Sequence, residues 1–171
     1  MAESTFGRRA GNALDKRTYF LPFPQEYRCP FRLGGADSVQ LACQVAENLL
    51  FGPHSPLTKP ASIITECVQG EAGSLPAPNA WLRTLRDLAN RRKIPLIADE
   101  IQAGVCRTGS MWSFEHAGVV PDIVVASKGL GSGIPIAVIV MRRALNTWKP
   151  GAFTGTFRGN TMAFAAAAAM L

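Results

Sequence analysis

Two side chains in this sequence stand where they could do chemistry together. Asp99 follows the apolar run Leu96-Ile97-Ala98, and Lys128 follows Ile123–Ala126 and one serine. Each polar group therefore sits where a short strand would end. A carboxylate pressed against an apolar run loses part of its water shell and needs a partner. A protonated ring nitrogen is such a partner, joined by a charge-assisted hydrogen bond. An amine held in an apolar setting favours its neutral form, and a neutral amine attacks an aldehyde to form a Schiff base. Gly129, Gly131 and Gly133 follow the lysine, leaving room for the amine to swing and for a ring to approach the backbone. Singly, Asp99 reads as a cap or turn former and Lys128 as a surface charge. Together they suggest a site that holds a cationic ring and forms a carbonyl adduct.

The neighbouring residues fill out such a site. A strand continued past Asp99 puts Ile101 on the same side, where it packs on a ring face, and Gln102 hydrogen-bonds a ring substituent. The alternative for both is core filling and a turn. Gly155-Thr156 lies in a loop before a helix, where a hydroxyl and backbone N–H groups can bind phosphate; the alternative is a plain cap by Asn160 or Thr161. The run GLGSG is not G-x-G-x-x-G between a strand and a helix, so a dinucleotide site fits poorly.

The elements that must position these groups alternate. Helical spacing of Val39, Leu41, Ala42, Val45, Ala46, Leu49 and Leu50 predicts a helix over Ala36–Phe51, capped by Asp37 and closed by Gly52. Ala61–Val68 reads as a buried strand. A second helix follows over Ala80–Arg92, capped by Asn79, with Trp81, Leu82, Leu85, Leu88 and Ala89 as its apolar stripe. Further strands are expected at Ile94–Ala98, Ile123–Ala126 and Ile136–Met141. Short helical pieces are expected at Met111–His116 and Arg142–Trp148, and an Ala-rich helix at Thr161–Leu171. Glu66 and Asp99 are 33 residues apart, and Asp99 and Lys128 are 29 apart, which suits crossover units of about 30 residues. The last two strands are too close for a helical crossover and are expected to be antiparallel. The fold class is α/β, a mostly parallel mixed sheet flanked by helices, with ligands at the C-terminal strand ends.

Composition narrows the function classes. The chain has 171 residues, 47% hydrophobic and 18% charged, with a net charge of +6, enough for one domain with a core. The basic residues are scattered and lack interleaved aromatics, so nucleic-acid binding is not expected. The four cysteines form no C-x-x-C pair and have no histidine at ligand spacing, so no metal is expected. Free thiols, no apolar signal core and no membrane-length apolar run point to the cytoplasm.

The segments ITECVQGEAG, PLIADEIQAGVCRTG, PDIVVASKGLGSGIPIAV and GTFRGNTMA, in that order and spacing, resemble the class III pyridoxal-phosphate aminotransferases. Phe20–Phe31 further resembles the branch that uses diaminobutyrate and 2-oxoglutarate. The resemblance implies part of the large domain of a fold type I enzyme over residues 36–171, with residues 1–35 as an irregular lead-in. It implies pyridoxal phosphate as cofactor, joined as a Schiff base to Lys128, which also moves the proton. By the same resemblance Asp99 partners the pyridine nitrogen, Gln102 lies near the ring hydroxyl, and Ile101 contacts the ring. Thr156 reaches the phosphate of the neighbouring subunit's cofactor, which implies a homodimer. Glu66 lies in the substrate pocket. The implied reaction moves the terminal amino group of L-2,4-diaminobutyrate to 2-oxoglutarate, with ornithine or 4-aminobutyrate as alternative donors. The family chain is far longer. The Gly-rich phosphate cradle, the ring-stacking aromatic and the small domain have no counterpart here, so the isolated piece is expected to be inactive. Val105-Cys106 departs from the residues usual before Arg107-Thr108-Gly109, a change expected to be tolerated. The reading outside catalysis is an inactive remnant or interaction protein that keeps the same fold and binds no cofactor.

Overall fold

The computed structural model describes residues 18–58, 60–152, 154–155 and 158–171. Helix α1 spans Gly35–Phe51 and buries Val39, Ala42, Ala46 and Leu50, one residue per turn on one side. Asp37 lies in its first turn but makes no capping hydrogen bond; Gly34 is the N-cap. The carboxylate still faces the positive end of the helix dipole. At the other end the Gly52 N–H donates to Asn48 O at 2.8 Å, and a side chain at Gly52 would strike that carbonyl.

Strand β1 is Ile63–Glu66, shorter than the expected Ala61–Val68, because the chain leaves the sheet at Cys67. It then forms a small hairpin, β2 (Val68–Gln69) against β3 (Leu75–Pro76), which hydrophobic spacing did not reveal. Helix α2, Asn79–Arg92, starts directly after Pro78; Asn79 lies inside the helix and gives no side-chain cap. Trp81, Leu82, Leu85, Leu88 and Ala89 are buried as expected. Lys93 ends the helix in the left-handed region at φ +54°.

Strands β4 (Leu96–Asp99), β5 (Ile123–Ala126) and β6 (Val138–Met141) complete a four-stranded sheet of order β1-β4-β5-β6. The first three strands are parallel, and β6 is antiparallel to β5, as the short connection requires. The register sets Thr65, Ala98 and Val124 in one row and Glu66, Asp99 and Val125 in the next. Alternation then sorts the faces. Ile63, Leu96 and Ala98 are buried together with the apolar stripes of α1 and α2. Each such leucine contributes roughly 2 kcal/mol by leaving water. The opposite face is more open, with Ile64 43% and Ile139 53% exposed.

Between β4 and β5 the chain turns through residues 101–112 and a 3-10 helix, Ser113–Ala117, closed by Gly118 at φ +66°. After β6 a three-residue 3-10 turn, Arg143–Leu145, replaces the expected Arg142–Trp148 helix. Helix α3, Thr161–Met170, is capped by Asn160, whose Oδ1 accepts from Met162 N at 3.0 Å and Ala163 N at 3.2 Å. Ala163 and Ala167 are its buried residues. Among the described residues, no helix is long and apolar enough to cross a membrane.

Asp122 ties these elements together. Its Oδ2 accepts from Arg86 Nη1 at 2.6 Å and from Leu96 N at 2.9 Å, and its Oδ1 faces Arg142 Nε at 2.7 Å. Burial pushes this carboxyl up, but the Arg86 and Leu96 hydrogen bonds and the two guanidinium charges outweigh it, so Asp122 titrates below the usual carboxylate range. A depressed folded value stabilises above the unfolded value of roughly 3.9, and the benefit is lost as pH falls through the folded value. Asp122→Asn is therefore expected to cost about 2 kcal/mol at neutral pH. The gap from the unaltered chain should close below about pH 4. Urea unfolding at both pH values checks this; an unchanged gap would contradict it.

Candidate active site

Three strand ends converge at the C-terminal edge of the parallel sheet. Glu66 closes β1 and Asp99 closes β4, as register partners. Val125 is the β5 partner of Asp99, and Lys128 follows three residues later. Both carboxylates are half-buried. Asp99 Oδ1 accepts from Ile101 N at 3.1 Å; among the described residues its other oxygen has no hydrogen-bond partner and no cation pairs with it. Glu66 Oε2 accepts from Gly70 N at 3.0 Å. Lys128 Nζ donates to Gln102 Oε1 at 2.5 Å. Glu66, Asp99, Gln102 and Lys128 thus gather on neighbouring connections at one end of the sheet, where open α/β sheets bind ligands.

The lysine is presented by a tight turn. Lys128–Gly131 is a 3-10 turn, and Lys128 has φ +34°, a left-handed conformation that costs a non-glycine residue about 1–2 kcal/mol. Such strain persists only where the surroundings impose it. Here Ser127 Oγ donates to Ile136 O at 2.5 Å, and Leu130 N donates to Ser127 O at 2.9 Å. Leu130 is buried with Val105, Ala126 and Ala167 in a small second core, so α3 braces the turn from below. A Cβ on Gly131 would come within 2.9 Å of Ile136 Cγ2, so any side chain there would have to displace Ile136.

Several expectations need correction. Strand β4 ends at Asp99, so Ile101 lies on a turn, half-buried, and the two-residue alternation does not carry it to the side of Asp99. Lys128 is exposed, not held in an apolar setting. Val105 and Cys106 both adopt positive φ, +57° and +62°, so this departure carries backbone strain, most clearly at the β-branched valine. Thr156 lies outside the described residues, as do residues 1–17 of the lead-in.

One buried acid went unread. Glu100 is 0% exposed. Its carboxylate accepts from Ser113 Oγ at 2.6 Å, Ser113 N at 3.0 Å and Phe114 N at 3.1 Å. These donors pin the far end of the loop that carries Ile101, Gln102 and Arg107 back onto β4. The signal was available in the alternation: Leu96 and Ala98 point into the core, so the next residue in step is Glu100, and Asp99 takes the other face. Cys67 lies beside this acid. Burial pushes its thiol up to about 12, and the Glu100 charge adds to the rise, so the thiol stays protonated and is no nucleophile.

The arrangement offers an exposed primary amine on an amide oxygen, at the same end of the sheet as a strand-end carboxylate with, among the described residues, an unused acceptor. These can grip one ligand that bears both a cationic N–H and an electrophilic carbonyl.

Comparison with known proteins gives a consistent set of likenesses. A family model described as aminotransferase class-III matches residues 6–171. The diaminobutyrate–2-oxoglutarate aminotransferase of Rhizobium meliloti (strain 1021) is 50% identical over 148 residues, covering 86% of this chain and 32% of that protein. The enzyme of the same name from Haemophilus influenzae is 45% identical over 152 residues, covering 89% and 34%. The chain thus spans about a third of the length of the curated relatives it matches. Among solved structures, the Toxoplasma gondii ornithine aminotransferase, described with partial occupancy of PLP at its active site, matches with a TM-score of 0.65 and 34% identity, over 75% of this chain and 29% of that one.

Proposed function

The chain belongs to the class III aminotransferase family, and from that premise we propose that it serves a pyridoxal-phosphate enzyme moving an amino group between L-2,4-diaminobutyrate and 2-oxoglutarate. The observation that carries this reading is the placement of an exposed amine, Lys128, and a strand-end carboxylate, Asp99, whose second oxygen has no partner among the described residues, at one end of the sheet. The donor set fits the cofactor: an acceptor for a protonated pyridine nitrogen, and an amine for an aldehyde. Residues 36–171 are read as part of the cofactor-binding large domain, with residues 1–35 as its lead-in.

Bound there, the cofactor would supply a cationic ring able to take up the electron pair released at the substrate carbon. Asp99 would hold that ring by its nitrogen and keep the nitrogen protonated through a charge-assisted hydrogen bond. Lys128 would hold the cofactor through Nζ, and the same amine would take and return the proton of the substrate carbon. Gln102 holds the amine on one side and a ring substituent on the other. Ile101 supplies an apolar contact, and Glu66 faces the substrate. Thr156 is assigned to the phosphate of a neighbouring subunit's cofactor, so the working form is a homodimer. The four free cysteines favour a reducing compartment, the cytoplasm.

The donor is read from the diaminobutyrate relatives at 45% and 50% identity. Likeness to an ornithine aminotransferase keeps ornithine as the second reading. A chimera carrying this chain in place of the corresponding third of the Rhizobium meliloti relative tests both. Glutamate should form from 2-oxoglutarate faster with diaminobutyrate than with ornithine or 4-aminobutyrate; the reverse order would overturn the assignment. In that chimera, Asp99→Asn should retain the cofactor and lose about 100- to 1,000-fold in kcat, the scale of one lost electrostatic stabiliser. An unchanged kcat would remove Asp99 from its role.

A further inference from the structure

Gly70 opens the loop of the β2–β3 hairpin. Its N–H donates to Glu66 Oε2 at 3.0 Å, and its carbonyl accepts from Gly73 N and Ser74 N, both at 3.1 Å. Its backbone lies outside the left-handed region, so the conformation itself makes no demand for glycine. Space does. A Cβ built on Gly70 would fall inside the Gln102 side-chain amide, 2.5 Å from Nε2 and 2.6 Å from Oε1. That same Oε1 accepts from Lys128 Nζ at 2.5 Å.

We propose that Gly70 is a positioning residue for the site: by lacking a side chain it provides the berth in which the Gln102 amide lies, and through Gln102 it sets where the Lys128 amine is held. The chain of contacts runs Glu66, Gly70, Gln102, Lys128, across the strand-end region from β1 to β5. The atoms in the way of a methyl group belong to the end of a flexible side chain and not to backbone. Gly70→Ala therefore displaces Gln102 and leaves the hairpin folded. The catalytic consequence rests on the reading of Lys128 as the cofactor-bearing residue; the contact itself does not.

The test uses the full 171-residue chain labelled with 15N and free of cofactor. The side-chain amide signals of Gln102 are assigned by their disappearance in Gln102→Ala. In the unaltered chain, Lys128→Met should shift them. In Gly70→Ala they should be displaced and should no longer respond to Lys128→Met, while the melting temperature moves by less than about 2 °C. Unmoved signals, a retained response to Lys128→Met, or a Gly70→Ala chain that fails to fold would each overturn the proposal.

A second arm uses the chimera with pyridoxal phosphate as the probe, fixed by borohydride and counted by mass at the Lys128 peptide. Gly70→Ala and Gln102→Ala should each lower the yield several-fold, and the double variant should be no lower than either. An additive double variant would mean that Gly70 acts by another route, overturning the proposal. If the unaltered chimera does not single out Lys128, the cofactor reading fails, and the amide signals still decide the role of Gly70.

Discussion

With Lys128 replaced by alanine, the chimera is expected to lose transamination by about 10,000-fold, the upper range for removing a positioned proton-transfer group, and to lose covalent cofactor together with turnover. The expectation follows from the two tasks that the proposed reading rests on one nitrogen. The turn around Lys128 is built to present that nitrogen: the backbone is held at φ +34°, Ser127 anchors the entry, and Leu130 anchors the exit in a core shared with α3. Alanine keeps the turn and removes the amine. Lys128→Arg separates charge from chemistry, because a guanidinium stays protonated and can neither attack a carbonyl nor accept a proton. It should be as inactive as the alanine variant. Substantial rescue by arginine would mean that Lys128 contributes only charge.

The second large effect is on stability. Glu100→Ala is expected to destabilise the chain by about 3–5 kcal/mol, because it orphans three donors at once: Ser113 N, Ser113 Oγ and Phe114 N. The pocket is sealed, with Glu100 at 0% exposure, so water does not readily take the place of the carboxylate. Against a total stability of about 5–15 kcal/mol for a domain, this loss is large. Glu100→Gln retains an acceptor oxygen and the shape, and should cost about 1–2 kcal/mol. Urea unfolding measures both. A cost for Glu100→Ala below about 1 kcal/mol would show that the loop is not held by this acid.

Much of the architecture was legible because it rests on periodicity. The stripes of α1 and α2, the three parallel strands and the antiparallel β6 follow from spacing and connection length. What spacing missed was governed by local hydrogen bonding. Asp37 and Asn79 looked like caps, yet the chain reaches both helices through Gly34 and Pro78, and neither side chain caps. The β2–β3 hairpin has only two residues per strand, too few for alternation to register. At the site, Asp99, Gln102 and Lys128 stood out in the residue pattern and Glu66 through the family resemblance, and all four lie at one end of the sheet. Ile101 was misplaced because strand geometry was extended past the turn that begins after Asp99. Gly70 could not be read from sequence at all, since its role is the absence of atoms next to a residue 32 positions away.

The central claim is that one amine out of five lysines is set apart to bear the cofactor. The direct measurement is to incubate the chimera with pyridoxal phosphate, reduce with borohydride, and map the added mass by peptide. The account predicts label concentrated on Lys128 and absent from that peptide in Lys128→Ala. Label spread over Lys93, Lys149 and the other lysines, with Lys128 no richer than the rest, would contradict it.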